Sequence, residues 1–132
     1  MVQTLLQIHS ATRYAVLAVA AAALVKFTVG LARKQRPALA DRILGSTFTG
    51  LLDLQIVLGL SMVLAGLFYR ALIGHIAMMV LAAGVAHVAL VVNKRRAEPG
   101  YVLPLVAVLG ALGLIAGGLL AIGRGLLEAR AL

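Results

Sequence analysis

The chain is predicted to be an all-α integral membrane protein, a bundle of four transmembrane helices with both termini on the outer side. Three observations predict this. Hydrophobic residues make up 63% of the 132 positions and charged residues only 12%. The apolar residues gather into four long stretches, and most of the charges fall between them. A soluble domain is nearer half apolar and a quarter charged, and a short chain buries only part of its surface. Lipid is the solvent that accommodates the surplus.

The first stretch covers about residues 5–31, interrupted by Arg13 and Lys26. Arg13 and the apolar run after it, with Ala18-Val19-Ala20, have some features of a signal peptide. The charge sits late for one, so the segment reads as the first helix. Arg33, Lys34, Gln35, Arg36 and Pro37 break the pattern, and Asp41 suits a helix start. The second stretch covers about residues 43–68, and Tyr69 and Arg70 form a short turn. The third covers about residues 71–92, followed by a loop with Lys94, Arg95, Arg96, Glu98 and Pro99. The fourth covers about residues 101–122, and a tail carries Arg124, Glu128 and Arg130. Each stretch meets the roughly 20 residues needed to cross the hydrocarbon core. Helices satisfy their own backbone there, which lipid demands.

The cations predict the orientation. Arg33, Lys34, Arg36, Arg42, Lys94, Arg95 and Arg96 lie in the loops at one end, with Lys26 able to snorkel there. Arg13, Arg70, Arg124 and Arg130 lie at the other. This imbalance places the basic loops in the cytoplasm and both termini outside. The formal charge of +8 accordingly reads as attraction to anionic lipid. Nucleic acid is not an expected partner, because no aromatic residues interleave with the charges. The absence of Cys excludes disulfides, Fe–S clusters and c-type haem attachment. With no Trp, an aromatic belt rests on Tyr14, Phe68, Tyr69 and Tyr101. Glycines in the later helices (Gly59, Gly66, Gly74, Gly84, Gly110, Gly113, Gly117 and Gly118) suit close helix packing, with Gly113 and Gly117 at GxxxG spacing. A flat cofactor is the other use for such space.

Ionisable residues within a membrane are expensive and mark functional positions. His9 and His75 stand about four residues into the first and third predicted helices, which run in the same direction. Both are therefore ~6 Å below the outer helix ends and able to face one another. His87 lies ~18 Å deeper than His75. Two imidazoles at one depth suit axial ligation of one haem b, with no second haem expected. Arg13 and Arg70 are placed to pair with propionates, and Tyr14 and Tyr69 to add hydrogen bonds. Met78 and Met79 share the face of His75 and suit packing against a macrocycle. The plainer alternative is that His9 is an interfacial residue and His75 a helix-start residue. Asp53 and His87 form a second constellation in the inner halves of adjacent antiparallel helices. It reads as a buried ion pair or, with Gln55, as a proton-handling quinone site. Lys26 reads as a snorkelling residue without chemistry.

His9-Ser10-Ala11-Thr12-Arg13-Tyr14 resembles the H-S-x-x-R-Y or -W opening of a small bacterial four-helix family, whose members are labelled cytochrome b or cytochrome-b-like membrane proteins. The run from Leu51 to Leu60 resembles that family's L-x-L-Q-x-x-L-G-L segment. His75-Ile76-Ala77-Met78-Met79, with Ala86-His87, resembles its H-x-x-M-M…A-H segment. The likeness spans the first three helices. It implies a b-type haem protein in which His9 and His75 are functional, with His87 a third candidate. Two features depart from the pattern: the turn at Phe68-Tyr69-Arg70 is short, and the fourth helix is glycine-rich. A short turn exposes a haem edge or leaves it for a partner to cover.

The expected function is thus single-electron transfer in the bacterial plasma membrane, linked to a quinone pool or a larger respiratory or photosynthetic complex. Two other functions fit parts of the sequence. One is an accessory subunit, bound to other membrane subunits or to a second copy. The other is a small proton-coupled transporter built on Asp53.

Overall fold

The computed structural model describes residues 1–125, so Glu128 and Arg130 lie outside the described residues. Four helices are present: α1 (Val2–Ala32), α2 (Leu39–Leu64), α3 (Leu72–Arg95) and α4 (Val102–Ala121). All four are long and apolar enough to cross a membrane, and no strand occurs among the described residues. With 31 residues, α1 is ~46 Å long and exceeds the hydrocarbon thickness.

The helix limits differ from expectation at several ends, and the caps explain why. α2 starts four residues early, because the Ala38 N–H donates to Asp41 Oδ2 at 2.7 Å and satisfies an orphan donor of the first turn. It stops at Leu64 rather than near residue 68. Gly66 there adopts φ +99°, with Gly66 N–H donating to Val63 O at 3.0 Å and Leu67 N–H to Met62 O at 3.0 Å. This is a Schellman cap; Gly66 is a turn residue, not the helix-packing residue expected. The same closure ends α4, where Gly123 has φ +72° and Arg124 N–H donates to Leu119 O at 2.9 Å. α1 ends likewise, but with Lys34 in the left-handed position at φ 53°. A side chain costs about 1 kcal/mol there. Lys34→Gly is therefore expected to stabilise the protein by about 0.5–1 kcal/mol, seen as a higher thermal midpoint in dodecyl maltoside micelles.

α1 packs on α2 and α4, and α3 packs on α2 and α4, so α1 and α3 face each other across the diagonal. The α1–α2 and α3–α4 hairpins are closely joined, while the seams between hairpins are sparser. The core is built largely from alanines, including Ala20, Ala23, Ala82, Ala86, Ala107 and Ala111, around Phe27, Phe48 and Val108. Lipid tails are as apolar as any core, so helices associate through close packing, which small residues permit. The glycines divide on this point. Gly110 brings α4 to within 3.1 Å of Val85 Cγ1 for a methyl group added there, while Gly113 and Gly84 face open space. The predicted Gly113–Gly117 packing ridge is therefore only half used.

A polar lock closes the basic end. Tyr101, expected in an aromatic belt, is instead buried. Its hydroxyl donates to Asp41 Oδ2 at 2.9 Å, and its ring lies 6.0 Å from that of Phe27. Lys26 Nζ reaches Asp41 Oδ1 at 3.3 Å, so Lys26 pairs with a carboxylate as well as snorkelling. Asn93 closes the α3–α4 loop, donating to Gly100 O at 2.9 Å and accepting from Gly100 N–H at 3.1 Å.

Burial and then the adjacent Asp41 carboxylate push the Tyr101 phenol up to about 12. The unfolded chain releases this proton near the ordinary value of about 10, so the contribution is intact below that pH and lost as pH rises through about 12. The detergent-unfolding midpoint is expected to drop over that window more steeply in wild type than in Tyr101→Phe.

Candidate functional site

The end of the bundle opposite the basic loops holds a cavity of about 100 Å³ with both His9 and His75 in its wall. Two smaller spaces continue beside the same pair, one deeper against Gln55, Met79 and Ala82 and one against Gly59 and Val80. His9 comes from α1 and His75 from α3, so the two imidazoles approach from diagonal helices, across the bundle interior. α1 begins at Val2, which puts His9 about 10 Å along its helix and His75 about 5 Å along α3. The unequal depths do not separate them, because α1 extends further than α3 at this end.

His75 is oriented by a specific bond. Its Nδ1 lies 3.0 Å from Gly118 O. A carbonyl oxygen only accepts, so Nδ1 carries the proton and Nε2 holds the lone pair. Metal-binding histidines are commonly held this way by a backbone carbonyl. Gly118 makes the contact possible: a methyl group added there would lie 3.4 Å from His75 Nδ1 and 3.0 Å from Met78 Cβ. The sequence marked Gly118 as one of several glycines suited to helix packing or to making room for a flat cofactor. The signal that distinguishes it is its place on α4 opposite His75, which no spacing rule supplies.

The ring of His9 faces the main chain of Gln55, and His9 Nδ1 is buried without a hydrogen bond at that atom. Gln55 Oε1 is likewise buried without a partner. Among the described residues, Arg13 and Arg124 are the charged side chains of the cavity wall, and no acid joins them. Arg13 is buried. Its Nη2 donates to Tyr14 Oη at 3.3 Å, and its guanidinium carbon lies 5.1 Å from the Tyr14 ring centre.

The predicted residues are thus sorted. His9, His75 and Arg13 converge, Tyr69 lines the same cavity, and Met79 lines the deeper space. Arg70 is exposed in the turn and does not line the cavity; Arg124 stands in the wall instead. Tyr14 is half exposed and contacts Arg13 of the cavity wall. Gln55 belongs with the histidine pair, not with Asp53 and His87. That second pair does form, with His87 Nε2 at 2.9 Å and 3.0 Å from the two Asp53 carboxylate oxygens. It is not buried, however. The Asp53 and His87 side chains are 53% and 47% exposed on the α2–α3 face, because both residues point away from the bundle axis.

The donor set, two imidazoles, is of the kind that holds a haem iron. No group of three or more His, Cys, Asp or Glu side chains gathers to hold a bare ion among the described residues, whereas two imidazoles suffice for a macrocyclic iron. The wall is apolar apart from the histidines, Ser10, Tyr69 and the two arginines. The packed volume is smaller than the roughly 300–1,000 Å³ of cofactor-sized pockets. Comparison of the chain with family models, curated proteins and solved structures finds no match. The functional reading therefore rests on the site itself.

Proposed function

We propose that the chain is a membrane b-type cytochrome that passes single electrons, with one haem b between His9 and His75. The observation that carries this reading is a pair of imidazoles from diagonal helices in one apolar cavity, with Arg13 and Arg124 in its wall among the described residues. When bound, the haem supplies one-electron chemistry at its iron. The chain supplies the rest. His75, set by Gly118, offers a lone pair at Nε2. Arg13 and Arg124 supply positive charge toward the propionates, which guanidinium matches in geometry. The apolar wall keeps water from the ring faces. By the distribution of cations, this end faces outward across a bacterial plasma membrane. A lipid-dissolved quinol is the donor consistent with this setting, and the Asp53–His87 pair is an acid–base group that it meets from the bilayer.

The deciding measurement is a reduced-minus-oxidised visible spectrum of the purified protein, with haem quantified per chain. A b-type signal at one haem per chain is expected. Purified protein without such a signal, even after haem supplementation, overturns the proposal.

One observation favours a second reading, an accessory subunit of a larger assembly. An ion pair half exposed to hydrocarbon is costly, and a partner helix over the α2–α3 face relieves that cost. Isolation in mild detergent as a complex with other subunits would support it. No observation favours transport, since Asp53 points away from the bundle interior and is paired with His87.

A further inference from the structure

A second cavity, of about 260 Å³, opens at the basic end between α2, α3 and α4. It is remote from the histidine pair and lined by different residues, so its chemistry is independent of the haem proposal. Arg42 and Lys94 stand at its rim, and Asp41, Asn93 and Tyr101 form its floor. Arg42 is the fourth residue of α2, and Lys94 is the penultimate residue of α3. Both therefore sit where the helices leave the hydrocarbon, at headgroup height.

The charges here are unbalanced in one direction. The Asp41 carboxylate is already answered: Lys26 Nζ lies 3.3 Å away, and the Tyr101 hydroxyl and Ala38 N–H donate to Oδ2 at 2.9 Å and 2.7 Å. Arg42 and Lys94 have no hydrogen-bond or ion-pair partner among the described residues. They leave two uncompensated positive charges over a neutralised floor. Asp41 Oδ1 is buried against Lys26, so the floor is closed to a ligand and the two rim cations are what it meets. A ligand suited to this arrangement presents a phosphate to the rim. Its tails must lie along the bundle. Basic clefts between membrane helices hold anionic lipid headgroups in this manner.

We propose that this cavity binds the headgroup of an anionic phospholipid. The phosphate lies between Arg42 and Lys94, and the acyl chains run along the α2–α3 seam. Gly45 lets α2 approach Leu90, with an added methyl group 3.3 Å from Leu90 Cδ1, and so sets the depth of the cleft.

The test is native mass spectrometry of the delipidated full chain titrated with phosphatidylglycerol, phosphatidylcholine and phosphatidylmethanol. The two anionic lipids should be retained more tightly than phosphatidylcholine. Arg42→Gln and Lys94→Gln should each weaken their binding about five-fold, and together about 25-fold, at about 1 kcal/mol per charge. Both residues are exposed, and circular dichroism verifies that the variants fold. Phosphatidylmethanol has the same charge and should bind as phosphatidylglycerol does. Equal retention of phosphatidylglycerol and phosphatidylcholine, or indifference to both substitutions, overturns the site. Displacement of the lipid by millimolar inorganic phosphate overturns the assignment to a lipid.

Discussion

With a haem held between His9 and His75 as proposed, replacing either histidine by alanine is expected to remove at least nine-tenths of the b-type absorption. The reason is that neither imidazole can be replaced from the surroundings. Among the described residues, His87 is the third histidine, and it is occupied by Asp53 on the outer face of the bundle. Met79 lines the deeper space but lies beside His75, one helical turn along, rather than across from it. His87→Ala should therefore leave the spectrum at wild-type intensity, which separates haem ligation from general damage to the membrane fold. A graded variant sharpens the assignment. Gly118→Ala places a methyl group against Met79 and His75 Nδ1 and should shift the reduced band or lower haem occupancy, although no histidine is lost. If both histidine variants retained the full signal, the diagonal pair would not be the ligand set. If only one did, the iron would be held from one side.

The second large effect is expected at the other end. Gly30→Ala should destabilise the bundle by about 2–4 kcal/mol, combining overpacking with disturbance of a buried hydrogen bond. A methyl group at Gly30 falls on the ring of Tyr101. A free tyrosine ring could swing aside, but this one is held on three counts. It is buried, packed against Phe27 and bonded through its hydroxyl to Asp41. Moving it exposes a carboxylate that also anchors the start of α2. Gly113→Ala is the matched control, since its added methyl group meets nothing within 4 Å. That variant should range from neutral to about 1 kcal/mol more stable, from helix propensity. Unfolding in increasing sodium dodecyl sulfate measures both. A Gly30→Ala midpoint equal to wild type would show that the Tyr101 lock carries little of the stability.

Both predictions turn on contacts that differ in how far the sequence reveals them. Four spans were legible because hydropathy and charge are local properties, and lipid leaves the backbone no alternative to the helix. The pairing of Asp53 with His87 was legible because adjacent spans must run antiparallel. Its exposure was not, since depth along a helix says nothing about which way that helix is turned. Arg70 and Arg124 show the same limit. They lie at one end of the bundle, and only the Schellman turn at Gly123 carries Arg124 into the cavity wall. Tyr101 looked like a belt residue because aromatic rings are common at interfaces, but Gly30 opens a space for it beside Asp41.

The sequence by itself determined that the described chain forms four long apolar helices and that α1 starts at the end of the bundle where α4 finishes. These follow from composition and from a fixed rise per residue. Tertiary structure alone decided which side chains meet: His9 with His75 across the diagonal, Gly118 behind His75, Gln55 beside His9, and Arg42 with Lys94 over one cleft. Rotation of each helix about its axis sets those meetings. That rotation is fixed by small-residue contacts between helices whose apolar surfaces are otherwise nearly uniform, so no local pattern encodes it.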